Sequence, residues 1–196
     1  MKDKNPPLII MLAGPNGAGK STFNEEYLAK LSLPFINADR IAKSELSDMS
    51  SEEVGYRAAK IADNRRQKMV TSRRSFIFET VFSDPFGAKV DFLRDAQISG
   101  YHISVHFVGL WPPSLTIARV LTRVEEGGHS VPIKKILPRY ERSLKNLAAL
   151  VPFVDELTFY DNSWASEPHR KFACFEKGEL LFQQSPIPEW AKSLIS

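Results

Sequence analysis

Cysteine is almost missing from this 196-residue chain. Cys174 stands alone, so no internal disulfide can staple the fold, and a reducing compartment, the cytoplasm, is the expected location. Within Phe172-Ala173-Cys174-Phe175 the thiol reads as core packing rather than as a nucleophile. Long apolar runs are missing too. None approaches the roughly 20 residues of a membrane span, and the N-terminal run Leu8 to Leu12 is too short for a signal peptide. Histidine is scarce: His102, His106, His129 and His169 are the only four, and they lack metal-ligand spacing on a helix, so no zinc site is expected. Nor does one charge dominate. A net +3 from 26 basic and 23 acidic residues argues weakly for an anionic ligand and poorly for nucleic acid. The cluster Arg65, Arg66, Lys68, Arg73 and Arg74 has no interleaved aromatics and reads as a solvated helix end. Repeats, low-complexity tracts and linkers are also lacking, which leaves one globular domain over 1–196.

What is present is concentrated in Gly14-Pro15-Asn16-Gly17-Ala18-Gly19-Lys20-Ser21-Thr22. This is the phosphate-loop pattern, and its context is right: an apolar run ending at Leu12 precedes it, and Phe23, Tyr27, Leu28 and Leu31 follow at helical spacing. The glycines permit close approach to a polyanion, and successive backbone N–H groups at a helix start point inward. Lys20 is placed for the β- and γ-phosphates and Ser21 for Mg²⁺. The expected ligand is therefore a nucleoside triphosphate with Mg²⁺.

The rest of the chain alternates. Strands are expected at Pro34–Asn37, Ser75–Phe78, Tyr101–Leu110 and Val154–Tyr160. Helices are expected at Glu52–Val70, Pro85–Ser99 with Phe86 on its apolar face, Ser114–Glu126 and Ile133–Leu150, the last kinked or restarted at Pro138. A hairpin around Lys177-Gly178-Glu179 and a helix over Ile187–Ile195 close the chain. Such alternation predicts an α/β fold with a five-stranded parallel sheet flanked by helices and a small antiparallel addition at the C-terminus, and the phosphate loop at its first strand makes it a P-loop NTPase.

Ligands in such sheets bind beyond the carboxyl ends of the strands. Asp39 and Glu79 (with Thr80) fall at two of those ends, where an acid can support the metal, hold the acceptor or take a proton from an attacking hydroxyl. Asp39 could instead cap a helix, and Glu79 could pair with Thr80 or a turn. Arg119 and Arg123 share one helical face, and Arg139 and Arg142 share the next. With Gly127-Gly128-His129 between them, they suggest a lid over about 119–142 that closes on phosphates. Asp161-Asn162-Ser163 either lines an adenine pocket or makes a turn.

Taken together, Gly14 to Thr22, Asn37-Ala38-Asp39 with Ile41, Phe78-Glu79-Thr80, Gly127-Gly128-His129 with Val131-Pro132, Arg139 to Leu144 and Tyr160 to Ser163 resemble the zeta-toxin-like P-loop kinases over residues 8 to 163. The resemblance implies a nucleotide-kinase-like fold, and toxins of that family use ATP and Mg²⁺ to phosphorylate the sugar 3′-hydroxyl of UDP-N-acetylglucosamine. The resemblance implies that Lys20 binds phosphate, Ser21 the metal, and that Asp39 is the base for the acceptor hydroxyl. It makes Glu79 a holder of the acceptor or a support of the metal. Arginines among Arg119, Arg123, Arg139 and Arg142 would stabilise the transferring phosphoryl group, and an antitoxin-like protein would be the partner. The chain is markedly shorter than the best-known toxins. A regulatory ATPase or switch that binds a protein or nucleic acid is the alternative from another class. A membrane transporter ATPase is not expected, because the chain has neither a Leu-Ser-Gly-Gly-type signature nor a hydrophobic strand ending in Asp-Glu.

Overall fold

The computed structural model describes residues 5–46, 51–127 and 131–195, with only the backbone of Ser51 and Glu52. Gly128 and His129 of the expected hinge lie outside the described residues.

Five parallel strands form the centre: β1 (Leu8–Ala13), β2 (Phe35–Ile36), β3 (Phe76–Thr80), β4 (His102–Gly109) and β5 (Glu156–Asp161). The expected hairpin, β6 (Arg170–Glu176) and β7 (Glu179–Gln183), continues the same sheet by antiparallel pairing of β6 on β5, giving the order β2-β3-β1-β4-β5-β6-β7. β1 lies between β3 and β4 and is covered on both faces, which is why it reads as an unbroken apolar run. Its side chains divide by the two-residue strand period. Ile9, Met11 and Ala13 join the large core on one face, while Ile10 and Leu12 pack with Phe23 and Leu28 on the other.

Helices α2 (Ala38–Glu45), α3 (Ser51–Thr71), α4 (Ala88–Ile98), α5 (Pro113–Glu125) and α6 (Ile133–Leu150) connect or flank these strands. Pro113 opens α5 at its first turn, where a missing N–H costs nothing. Ile117, Val120, Val131 and Ile136 form a small apolar cluster of their own.

Several sequence expectations are corrected. The helix after the phosphate loop is short: α1 (Lys20–Phe23) passes into a π turn over Asn24–Leu28 and a 3-10 turn over Ala29–Leu31. The wider π turn aligns Phe23 with Leu28, five residues on. Those two are buried, whereas Tyr27 and Leu31 are half-exposed. Because α4 begins only at Ala88, Phe86 precedes it and is 91% exposed rather than on an apolar face. α6 runs through Pro138 as one element and does not restart. In β6 the register slips between Cys174 and Phe175. Phe175 takes the core position and Cys174 is only partly buried.

The C-terminus returns to the sheet through a 3-10 turn, Glu189–Ala191, and α7 (Lys192–Ile195). The Trp190 ring lies 5.4 Å from Phe107, 5.6 Å from Phe159 and 5.4 Å from Phe172. It occupies the space where any side chain on Gly109 would project.

Candidate functional site

The phosphate loop leaves β1 at Gly14, whose φ of 147° is hard for an L side chain. A Cβ there would also overlap the Val108 carbonyl of the neighbouring strand. Gly19, in the left-handed region, starts α1. Lys20 is buried, and its Nζ donates to the carbonyls of Gly14 (2.9 Å) and Pro15 (3.0 Å). The same ammonium lies 4.0 Å from Glu79 Oε1.

β3 adjoins β1 and β2 adjoins β3, so their carboxyl ends reach the same crevice. Asn37, just past β2, organises that corner. Its Oδ1 accepts from Arg40 N at 3.0 Å and so caps α2, and its Nδ2 donates to Glu79 Oε2 at 2.8 Å. The cap expected as an alternative role for Asp39 therefore belongs to Asn37. Asp39 sits in the first turn of α2, exposed and facing the cavity. Glu79 pairs with Asn37 and Lys20, not with Thr80. The Thr80 hydroxyl instead accepts from Phe82 N at 2.9 Å. Both residues end β3 rather than follow it.

One cavity of about 470 Å³ contains this whole corner. Asn16 to Thr22 line it on one side, and Asn37 to Asp39 and Glu79 to Val81 on another. Arg119, Arg123 and Arg139 line it as well, and Arg119 Nη1 reaches the Gly17 carbonyl at 3.5 Å. Gly14 and Pro15 contribute through their carbonyls to Lys20. Arg142 stands apart from the other three arginines: its Nε donates to the Ser83 carbonyl at 2.9 Å, and it does not line the cavity. It belongs to a row in which α6 holds the β3–α4 connection, with Ser143 Oγ donating to Val81 O (2.6 Å) and Asn146 Nδ2 donating to both Phe82 O and Asp84 O (3.0 Å each).

Arg66 and Lys89 also line the cavity. The reading of Arg66 as part of a solvated helix end is wrong. It is 6% exposed, donates to Asp63, and lies over the rings of Phe78 (5.0 Å) and Phe92 (5.7 Å). The signal for it was helical phase: Ala59, Ala62, Asp63 and Arg66 recur at one-face spacing on α3, and all four face the cavity. The other basic residues of that cluster behave differently. Arg65 pairs with Glu45 at the surface, and Lys68, Arg73 and Arg74 are exposed.

Asp161-Asn162-Ser163 does not line this cavity. Asp161 accepts from Ser163 Oγ (2.6 Å) and Trp190 Nε1 (3.2 Å), and Asn162 Nδ2 donates to Ala18 O at 2.9 Å, behind the phosphate loop.

Burial governs the protonation of these groups. It pushes Lys20 below its ordinary value, opposed by the nearby carboxylates of Glu79 and Asp39. Burial raises Glu79, opposed by Lys20 and the Asn37 hydrogen bond. Burial also lowers Arg66 to about 10 and lowers Arg119, Arg139 and Lys89. Six cationic and three acidic side chains line one space, which suits a polyanion. The Ser21 hydroxyl with the Asp39 and Glu79 carboxylates offers hard oxygen donors, the type Mg²⁺ takes when phosphates supply the rest.

The Zeta toxin family model matches residues 1–165. No curated protein matches. Among solved structures, the AvrRxo1-ORF1:AvrRxo1-ORF2 complex with sulphate ions contains a chain with TM-score 0.73 at 17% identity, covering 99% of this chain and 65% of that one. A Chloroflexus aurantiacus protein described as a kinase candidate has TM-score 0.59 at 19% identity, with coverage of 83% and 92%. The PezAT toxin–antitoxin structure from Streptococcus pneumoniae has TM-score 0.57 at 18% identity, with coverage of 100% and 78%. These likenesses are of fold, and the chain spans about 65% of the length of the AvrRxo1 chain.

Proposed function

We propose that this chain, which belongs to the zeta toxin family, is an ATP- and Mg²⁺-dependent kinase that transfers the γ-phosphate to a hydroxyl of a small molecule. The observation that carries this is the cavity itself, where Asp39 faces the phosphate loop, Lys20, Glu79 and three arginines across one space. ATP brings the activated phosphoryl group. The backbone N–H groups of Asn16 to Ser21 hold the polyphosphate, Lys20 binds its β and γ ends, and the Ser21 hydroxyl holds Mg²⁺. Asp39, exposed at the rim, takes the proton as the acceptor oxygen bonds to phosphorus and the bond to ADP breaks. Glu79, fixed by Asn37, orients the acceptor or the metal. Arg119, Arg123 and Arg139 spread charge over the transferring group, and Arg142 supports the wall that carries Ser83.

Family membership points to the sugar 3′-hydroxyl of UDP-N-acetylglucosamine as acceptor, to an antitoxin-like protein as partner and to the cytoplasm as the place of action. Among the described residues no helix is long and apolar enough to cross a membrane. Purified protein with labelled ATP, Mg²⁺ and UDP-N-acetylglucosamine should give a labelled sugar nucleotide. Label on a different hydroxyl metabolite from a broad panel would replace that acceptor and keep the kinase. Nucleotide binding with no labelled product across the panel would overturn the kinase in favour of a regulatory ATPase or switch.

A further inference from the structure

Two buried side chains that line no part of the cavity are fastened to the back of the phosphate loop. Asn162 is 9% exposed and His169 7% exposed. Asn162 Nδ2 donates to the Ala18 carbonyl at 2.9 Å, and His169 Nε2 lies 3.2 Å from the Gly19 carbonyl. The two are joined to each other, because Asn162 Oδ1 accepts from His169 N at 3.2 Å. The His169 ring is set by edge contacts to Phe23 (5.4 Å) and Tyr27 (6.2 Å). A Cβ on Gly19 would collide with Asn162 Nδ2 and come within 3.0 Å of His169 Nε2. Gly19 is thus needed for this contact as well as for its φ.

A planar trans peptide points its C=O and the following N–H in opposite directions. Drawing the Ala18 carbonyl back therefore aims the Gly19 N–H forward, and drawing the Gly19 carbonyl back does the same for the N–H of Lys20. We propose that Asn162 and His169 are positioning residues for triphosphate binding. Between them they hold two consecutive peptide planes of the loop so that the Gly19 and Lys20 N–H groups converge on a phosphate. This rests on the reading that the loop binds a nucleoside triphosphate. The geometry requires the proton on His169 Nε2, since a carbonyl can only accept. Asn162 then has a second job, fixing through His169 N the segment that carries the imidazole.

The test is the affinity for Mg·ATP, measured by titration calorimetry on the full chain, with thermal melting recorded for each variant. Asn162→Asp keeps the shape and replaces the donor with an acceptor facing a carbonyl. It should weaken Mg·ATP by about tenfold or more, the effect of losing one hydrogen bond and facing two acceptors together. His169→Leu should weaken it by roughly fivefold to tenfold, and His169→Gln, which restores an N–H donor, should recover to within about threefold of wild type. Equal recovery of melting temperature is not required, so the rescue separates aim from packing. Wild-type affinity in Asn162→Asp and His169→Leu would overturn the proposal. So would a His169→Gln protein as weak as His169→Leu, which would make the ring a packing element only. If Asn162→Asp does not fold, the His169 pair decides alone. A wild-type protein that fails to bind Mg·ATP would instead refute the phosphate-loop reading itself.

Discussion

His106 gives a stability prediction that can be worked from the structure. It lies on β4, partly buried, with Nδ1 3.2 Å from the Tyr160 hydroxyl and its ring 5.8 Å from Phe23 on the first turn after the phosphate loop. Burial lowers its pKa from 6.5 to about 4, with Glu156 opposing the shift and Lys171 reinforcing it. A group whose folded pKa is depressed contributes stability above its unfolded pKa and loses it as pH falls toward the folded one. The window is therefore pH 6.5 down to about 4. Between pH 7 and pH 5 the unfolded chain takes up a proton that the fold refuses, a loss of about 2 kcal/mol by linkage. Solvent reaching the ring edge reduces this to roughly 1–2 kcal/mol.

Urea unfolding of wild type and His106→Gln at both pH values isolates the effect. The substitution changes absolute stability by its own amount, and the other titrating groups, Glu156 and Lys171 included, are common to both proteins. The difference of differences belongs to His106. Wild type should lose about 1–2 kcal/mol more than the variant on going from pH 7 to pH 5. Parallel pH dependence would refute the reasoning and show that the imidazole is solvated well enough to charge within the fold.

Asp39→Asn should retain Mg·ATP affinity by calorimetry and lose about 10²–10⁴-fold in turnover, the usual yield of a general base; undiminished turnover would remove the base assignment. Lys20→Ala should abolish nucleotide binding in the same titration, because the loop loses its cation and Glu79 its partner. Arg66→Ala should cost about 1–2 kcal/mol in urea unfolding through lost contact with Phe78 and Phe92, with Arg66→Met recovering part of it. Trp190→Ala should cost about 3–5 kcal/mol, since a ring packed on Phe107, Phe159 and Phe172 leaves a cavity behind.

The phosphate loop and the strand–helix alternation were legible because each is a local pattern. Apolar runs mark β1 and β4, and Gly14 through Ser21 needs only its flanks to be believed. Asp39 and Glu79 were legible through topology, since a parallel sheet gathers its carboxyl ends. What stayed hidden depended on distant contacts. Arg66 and Arg73 look alike in sequence, yet one lies over the rings of Phe78 and Phe92 while the other reaches the Ser99 carbonyl at the surface. Arg139 and Arg142 share a helix face by spacing, but the Ser83 carbonyl captures only Arg142. The π turn after Phe23 departs from the 3.6-residue helical period, so apolar spacing does not reveal it.

Environment also sets the two carboxylates of the crevice apart. Glu79 has a side chain only 10% exposed beside a Lys20 side chain 7% exposed, and Asn37 holds its second oxygen. Burial favours the neutral form of each partner, and each charge pulls the other back toward ionisation. Such a pair responds to any new charge placed between them. An anion at Lys20 favours the charged ammonium and opposes ionisation of Glu79, whereas a cation there does the reverse. Asp39 has no such tether: its backbone is fixed in the first turn of α2 by the Asn37 cap, and its carboxylate is exposed to the cavity. One asparagine therefore sets both acids, binding Glu79 directly through its amide and placing Asp39 indirectly through the helix it starts. Replacing Asn37 with Asp would keep the cap, which needs only an oxygen, and turn the contact with Glu79 repulsive. The damage should fall on the Glu79 function while α2 and Asp39 stay in place.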